Sequence, residues 1–126
     1  MFIVSNPNPR PRKNSQDCAI RAIANATGDS WKDVFALLCD AGAAKLDAPT
    51  SDASVRHALG MIGAQKVVNT KGEDGRRLTV EQFADRHPRG RFVVRVSGHW
   101  TCVADGNVID SWDCSWKCVF SAWEVL

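Results

Sequence analysis

The sequence predicts an α+β fold in which N-terminal helices pack on a C-terminal antiparallel sheet. Three observations carry this expectation. Apolar residues recur at helical spacing in a series of segments between residues 17 and 87. From Gly90 the pattern changes to β-rich runs, the first being Arg91-Phe-Val-Val-Arg-Val-Ser97. The pair Asp105-Gly106 then separates two further runs and is a strong hairpin signal, because both residue types tolerate positive φ. Helices grouped first and strands grouped second mark an α+β domain.

Taken in order, residues 1–14 read as an extended arm. Prolines 7, 9 and 11 alternate with polar residues and forbid helix, and Arg10, Arg12 and Lys13 make the arm basic. Its expected state is a solvated lead-in; the sharper alternative is a strip lining a substrate cleft or touching an acidic partner. Residues 15–126 form a single domain. The first helix spans about 17–27, with Ala19, Ile20, Ala22, Ile23 and Ala26 as its apolar stripe and Gly28 as its stop. The second spans 31–41, with Ser30 as N-cap, Asp33 in the capping-box place, and Trp31, Val34, Phe35, Leu37, Leu38 and Cys39 as a mostly buried face. The third covers 52–63, capped by Thr50 or Ser51, with Val55, Leu59, Met61 and Ile62 apolar. Residues 65–69 are a possible short strand and 71–77 a polar loop. A short fourth helix starts at Thr79, with Gln82 completing a capping box, and ends before Pro88. Strands follow at 91–97, 99–104, 107–112 and 119–125.

Composition narrows the function classes. The chain has 126 residues and a net charge of +2, too near neutral to argue for a nucleic-acid partner. No run approaches the ~20 apolar residues of a membrane span, and the opening Met-Phe-Ile-Val-Ser-Asn-Pro lacks signal-peptide character. A cytoplasmic location is the expectation. Five cysteines, at 18, 39, 102, 114 and 118, then read as reduced thiols. Cys114 and Cys118 with His99 fall short of the paired four-ligand spacing of a zinc site, so no metal or cofactor is expected.

The chemistry concentrates in two segments, Gln16-Asp-Cys-Ala-Ile-Arg-Ala22 and Gly98-His-Trp-Thr-Cys-Val103 running into Val108-Ile-Asp-Ser-Trp112. Cys18 falls at a helix N-terminus, where the dipole and free N–H groups favour a thiolate and can hold an oxyanion. Read alone, it is more often a buried structural thiol. His99 opens a strand directly after Gly98 and can serve as base and counter-ion. His57, mid-helix, and His87, before Pro88, are weaker candidates. A two-residue turn at 105–106 puts 99, 101, 110 and 112 on one face of the hairpin, making Asp110 the diagonal neighbour of His99 and its expected orienter. A three-residue loop would flip the parity and substitute Asp113. Gln16, or alternatively Asn14, could add an amide to the oxyanion site. Asp17 reads as an N-cap and Arg21 as an ion-pair anchor of the first helix. Of five tryptophans, Trp100 and Trp112 flank the proposed site, where one ring could shield a Cys–His pair.

On Asp17-Cys-Ala-Ile-Arg-Ala-Ile23, Gly98-His-Trp100 and Asp110-Ser-Trp112, the chain resembles the papain-like cysteine peptidase superfamily. The Cys-x-x-Arg-Ala-Ile string is similar to the nucleophile motif of ovarian-tumour deubiquitinases. The His-strand-turn-strand-Asp ending is similar to the peptidase domains of bacteriocin-processing transporters. The resemblance implies Cys18 as nucleophile, His99 as general base and acid, Asp110 as orienter, and a thioester intermediate. The papain Cys-Gly-Ser-Cys-Trp pattern is missing, Arg12 stands where papain places its oxyanion glutamine, and most of a second lobe is lacking, which implies a shallow cleft. The expected function is cleavage of a peptide or isopeptide bond in a protein or peptide substrate. The rivals are an acyltransferase or deamidase on the same centre, and an inactive papain-like binding protein.

Overall fold

The structure is a computed structural model describing residues 1–126. Ten elements follow in the order β1 (Phe2–Val4), α1 (Cys18–Thr27), α2 (Trp31–Lys45), α3 (Asp52–Met61), β2 (Gln65–Lys66), α4 (Val80–Arg86), β3 (Arg91–Val96), β4 (His99–Ala104), β5 (Asn107–Asp110) and β6 (Ser121–Val125). The strands form one six-stranded sheet in the order β1-β5-β4-β3-β6-β2.

The β3–β4–β5 meander forms because each connection supplies the required backbone freedom. Gly98 has φ +64 in the first turn, while Asp105 and Gly106 have φ +50 and +81 in the second. Two consecutive positive φ values match the right-handed strand twist, so Ala104 pairs Asn107 and the loop holds two residues. That register carries forward to Thr101 opposite Asp110, the parity expected from the sequence.

The α+β class holds, with two corrections. The sheet is mixed rather than purely antiparallel: β1 pairs with β5 in parallel, Phe2 beside Val108 and Val4 beside Asp110. Residues 2–4 of the arm therefore belong to the sheet rather than to a solvated lead-in. The helices also do not share one face. α1, α2 and α3 pack with Val93, Trp100, Cys102, Ala104 and Trp123, whereas α4 buries Phe83 and Ala84 against Phe92, Val94, Val96, Val103 and Val108 on the opposite face. Alternation along each strand explains both cores, since β4 sends Trp100 and Cys102 one way and Thr101 and Val103 the other.

α1 is rich in alanine because it lies directly on the sheet. Ala19, Ala22, Ala24 and Ala26 permit close approach while Ile20 and Ile23 fill the gaps. Gly28 closes it at φ +80, donating to the Ala24 carbonyl. Caps define the other helices: the hydroxyls of Ser30 and Ser51 accept from Asp33 N and Ser54 N, and Thr79 with Gln82 completes both bonds of a capping box. One apolar position expected on the mostly buried face of the second helix is exposed: Phe35, which stacks on Trp31 at 5.4 Å.

Candidate active site

Cys18 is the first residue of α1 and half-buried. Asp17 occupies the N-cap position, yet its side chain makes no cap hydrogen bond. Its carboxylate turns away and accepts from Asn8 Nδ2 at 2.8 Å, Ser15 Oγ at 2.8 Å, Trp31 Nε1 at 2.9 Å and the Arg21 guanidinium. Burial alone would raise the Asp17 pKa, but the Trp31, Ser15 and Asn8 donors and the Arg21 charge hold it below the usual carboxylate range. Asp17 therefore ties the arm, α1 and α2 together, and leaves the first-turn N–H groups of α1 uncapped beside the thiol. Arg21 is the ion-pair anchor expected of it.

His99 and Asp110 come from the face of the sheet opposite α1. They meet Cys18 because His99 is the first residue of β4, at the end of the sheet over which the α1 N-terminus lies. Cys18, Ala19, Arg21, Gly98, His99 and Trp112 line one open cavity of about 390 Å³, with Ser15, Gln16 and Thr50 at its rim. His99 and Asp110 are only 6% and 4% exposed. His99 Nε2 donates to Asp110 Oδ2 at 2.7 Å. An ionised carboxylate can only accept, so Nε2 carries the proton and Nδ1 is the ring atom left for Cys18.

The remaining acceptor capacity of Asp110 is also used. Ser111 N donates to Oδ1 at 2.6 Å, and the Cys114 thiol reaches Oδ2 at 3.6 Å. Burial works against the ionised form, but the His99 hydrogen bond and charge, with the Ser111 N–H, lower the Asp110 pKa. For His99, burial disfavours the cation, yet the hydrogen bond to Asp110, and after it the neighbouring Cys114 and Cys18 thiols, raise its pKa to about 11. Burial pushes the Cys18 thiol up, but the His99 ring, the Trp100 N–H and the charges of His99 and Arg21 pull it below its ordinary value. The arrangement favours a thiolate–imidazolium pair. By contrast, burial and the nearby Asp110 charge push the Cys102 thiol up to about 12, and it is fully enclosed.

The other sequence candidates separate clearly. Gln16 lines the Cys18 cavity, whereas Asn14 does not and lines a neighbouring cleft instead. Asp113 is exposed and accepts from Ser115 N at 2.9 Å, and Asp110 alone bonds His99. His87 bonds the Phe83 carbonyl on the far face, and His57 lies exposed on α3. Trp112 stands 4.6 Å from the His99 ring, centroid to centroid, and covers one side of it. Cys114 was not distinguishable as a neighbour of the site, because the irregular segment after β5 that returns it to Asp110 has no periodicity. His99, Asp110 and Cys114 place three donor atoms within 4.8 Å of one another. A cation there would have to displace the short His99–Asp110 hydrogen bond.

No protein-family model matches the chain, and neither the curated proteins nor the solved structures contain a match. No helix is long and apolar enough to cross a membrane.

Proposed function

We propose that this chain is a cysteine hydrolase of papain-like arrangement that cleaves a peptide or isopeptide bond. The observation that carries the reading is the conjunction at Cys18: an uncapped helix N-terminus, a lowered thiol pKa, and an adjacent imidazole fixed by the buried Asp110. In the proposed reaction the Cys18 thiolate attacks the carbonyl carbon. The resulting oxyanion is held by first-turn N–H groups of α1, with the Gln16 amide at the rim. His99 delivers its Nδ1 proton to the departing amine as the tetrahedral adduct collapses to a thioester. Neutral His99 then takes a proton from water, whose oxygen attacks the thioester, and release of the acid restores the thiolate–imidazolium pair.

Asp110 acts throughout as the group that orients the ring and stabilises its cation. The reaction draws on no metal or cofactor, and the five free thiols suit a cytoplasmic setting. The test is incubation with pooled peptides and isopeptide-linked peptides, read by mass spectrometry, with Cys18→Ala and His99→Ala as controls. New termini that both variants abolish are expected. Conversion of side-chain amides to acids without chain cleavage would reassign the centre to deamidation. Absence of any product, with a Cys18 of ordinary reactivity, would overturn the hydrolase reading.

A further inference from the structure

We propose that the cleft adjoining Cys18 is a subsite for an acidic segment of the substrate; this rests on the hydrolase reading and names the substrate class of the same site. The cleft has a volume of about 450 Å³ and shares Ser15, Gln16 and Thr50 with the cavity that holds Cys18 and His99. One wall is the arm, presenting Arg10, Arg12 and Lys13; the other is α2, presenting Trp31 and Phe35.

None of the three arm cations is engaged in an ion pair: the pairs in this molecule join Arg21 to Asp17, Arg95 to Asp52 and His99 to Asp110. The single acidic residue lining the cleft, Asp17, is buried and saturated by Arg21, Trp31, Ser15 and Asn8. Three uncompensated positive charges thus face one cleft in a chain whose total net charge is only +2. Charge concentrated in a concave, partly apolar site acts more strongly on a ligand than the same charge spread over a surface.

The cations sit on a fixed wall. The arm is held by β1 pairing, by Ser5 N donating to the Asp110 carbonyl at 2.8 Å, and by Asn8, which bonds Asp17 through Nδ2 at 2.8 Å and accepts from Arg10 N at 2.9 Å. Pro7 restricts the chain between these anchors, and Pro9 and Pro11 stiffen the stretch that follows Asn8. A site already ordered before binding loses little entropy on taking a ligand. Opposite, the Trp31–Phe35 stack, with Phe35 42% exposed, offers an apolar surface. The complementary ligand carries carboxylates beside an apolar or aromatic side chain. A peptide fits better than a nucleic acid, because Trp31 is already covered by Phe35 and tied to Asp17 at 2.9 Å, which leaves no run of open rings for successive bases.

The test uses the full chain with Cys18→Ser, so that binding is read without turnover. Fluorescence anisotropy would be followed for a labelled decapeptide of Glu, Phe and Gly, for its Lys-for-Glu counterpart, and for a ten-nucleotide oligothymidylate. The acidic peptide is expected to bind at least about tenfold more tightly than the lysine peptide and to weaken as salt rises. Adding Arg10→Glu, Arg12→Glu and Lys13→Glu should reverse that preference, with circular dichroism reporting the folded state. The milder Arg10→Gln/Arg12→Gln pair should weaken acidic-peptide binding in the same direction. Equal binding of the two peptides, binding of neither, or binding of the oligothymidylate alone would overturn the subsite. Alkylation of Cys18 in the unmodified chain separates the two readings. A reactive thiol without acidic-peptide binding removes the subsite only, and binding beside an unreactive thiol removes the hydrolase only.

Discussion

Replacing Asp110 by Asn isolates the charge that holds the His99 cation. The substitution keeps a side-chain oxygen near Nε2 and changes the volume little, but removes the negative charge. In the native pair the His99 pKa stands at about 11, so at about pH 7.5 the imidazolium outweighs the neutral ring by roughly three thousand to one. Without the Asp110 charge, burial, which opposes the cation, is offset only by the Cys114 and Cys18 thiols, and the pKa should fall far toward the ordinary 6.5. Were it to reach that value, roughly one ring in ten would be protonated at the same pH. The folding cost should be about 1–3 kcal/mol. It stays below the 3–5 kcal/mol expected for a stranded buried charge, because the ring can shed its proton. Nitrogen-15 NMR of the imidazole from about pH 5 to 11 reads the change directly. A native midpoint near 6.5, or one that Asp110→Asn leaves unmoved, would refute the coupling of Asp110 to His99.

Three further outcomes follow from the same geometry. Asp17→Ala should destabilise the fold by about 3–5 kcal/mol in urea denaturation, since the buried Arg21 loses its partner, and should expose the arm to trypsin at Arg12 and Lys13. Gly106→Ala should cost about 1–2 kcal/mol in the same assay, because φ is +81 and a Cβ would approach Pro88 Cα at 3.3 Å; an unchanged midpoint would rule out the tight turn. Thermal stability should depend on pH at both ends. The raised His99 pKa contributes stability fully present below 6.5 and lost as pH climbs through about 11, while the lowered Asp17 and Asp110 pKa values contribute stability present above 3.8 and lost as pH falls through their folded values.

Local signals and one long-range parity rule made most of the site legible in the sequence. The Asp105-Gly106 turn sets the β4–β5 register, and side-chain alternation then places Asp110 rather than Asp113 on the face of His99. Cys18 at a helix N-terminus was readable because Gly28 and the alanine-rich stripe bound the helix. Features that depend on which segments meet in space were not legible. Phe2–Val4 is too short to show alternation, and its parallel partner lies more than a hundred residues away. α2 continues past residue 41 through Gly42, a residue that lowers helix propensity; here a Cβ would stand 2.8 Å from the Asp47 carbonyl oxygen, so only glycine fits. Order along the chain carried no sign that α4 crosses to the other face. Asp17 stood in the N-cap position but found stronger donors in Trp31, Ser15, Asn8 and Arg21, a competition that local sequence does not display.

The most direct measurement is the pH dependence of Cys18 alkylation by iodoacetamide, resolved by peptide mass spectrometry in the native chain and in His99→Ala. Each unit by which the site lowers the thiol pKa multiplies the thiolate about tenfold, and the weaker nucleophilicity of a less basic thiolate returns about threefold of that. Labelling of Cys18 should therefore persist well below the ordinary 9.0 of a thiol, outpace the exposed Cys118, and be lost in His99→Ala, while the enclosed Cys102 stays protected. Cys18 labelling that tracks Cys118 at every pH and ignores the loss of His99 would contradict a thiolate–imidazolium centre.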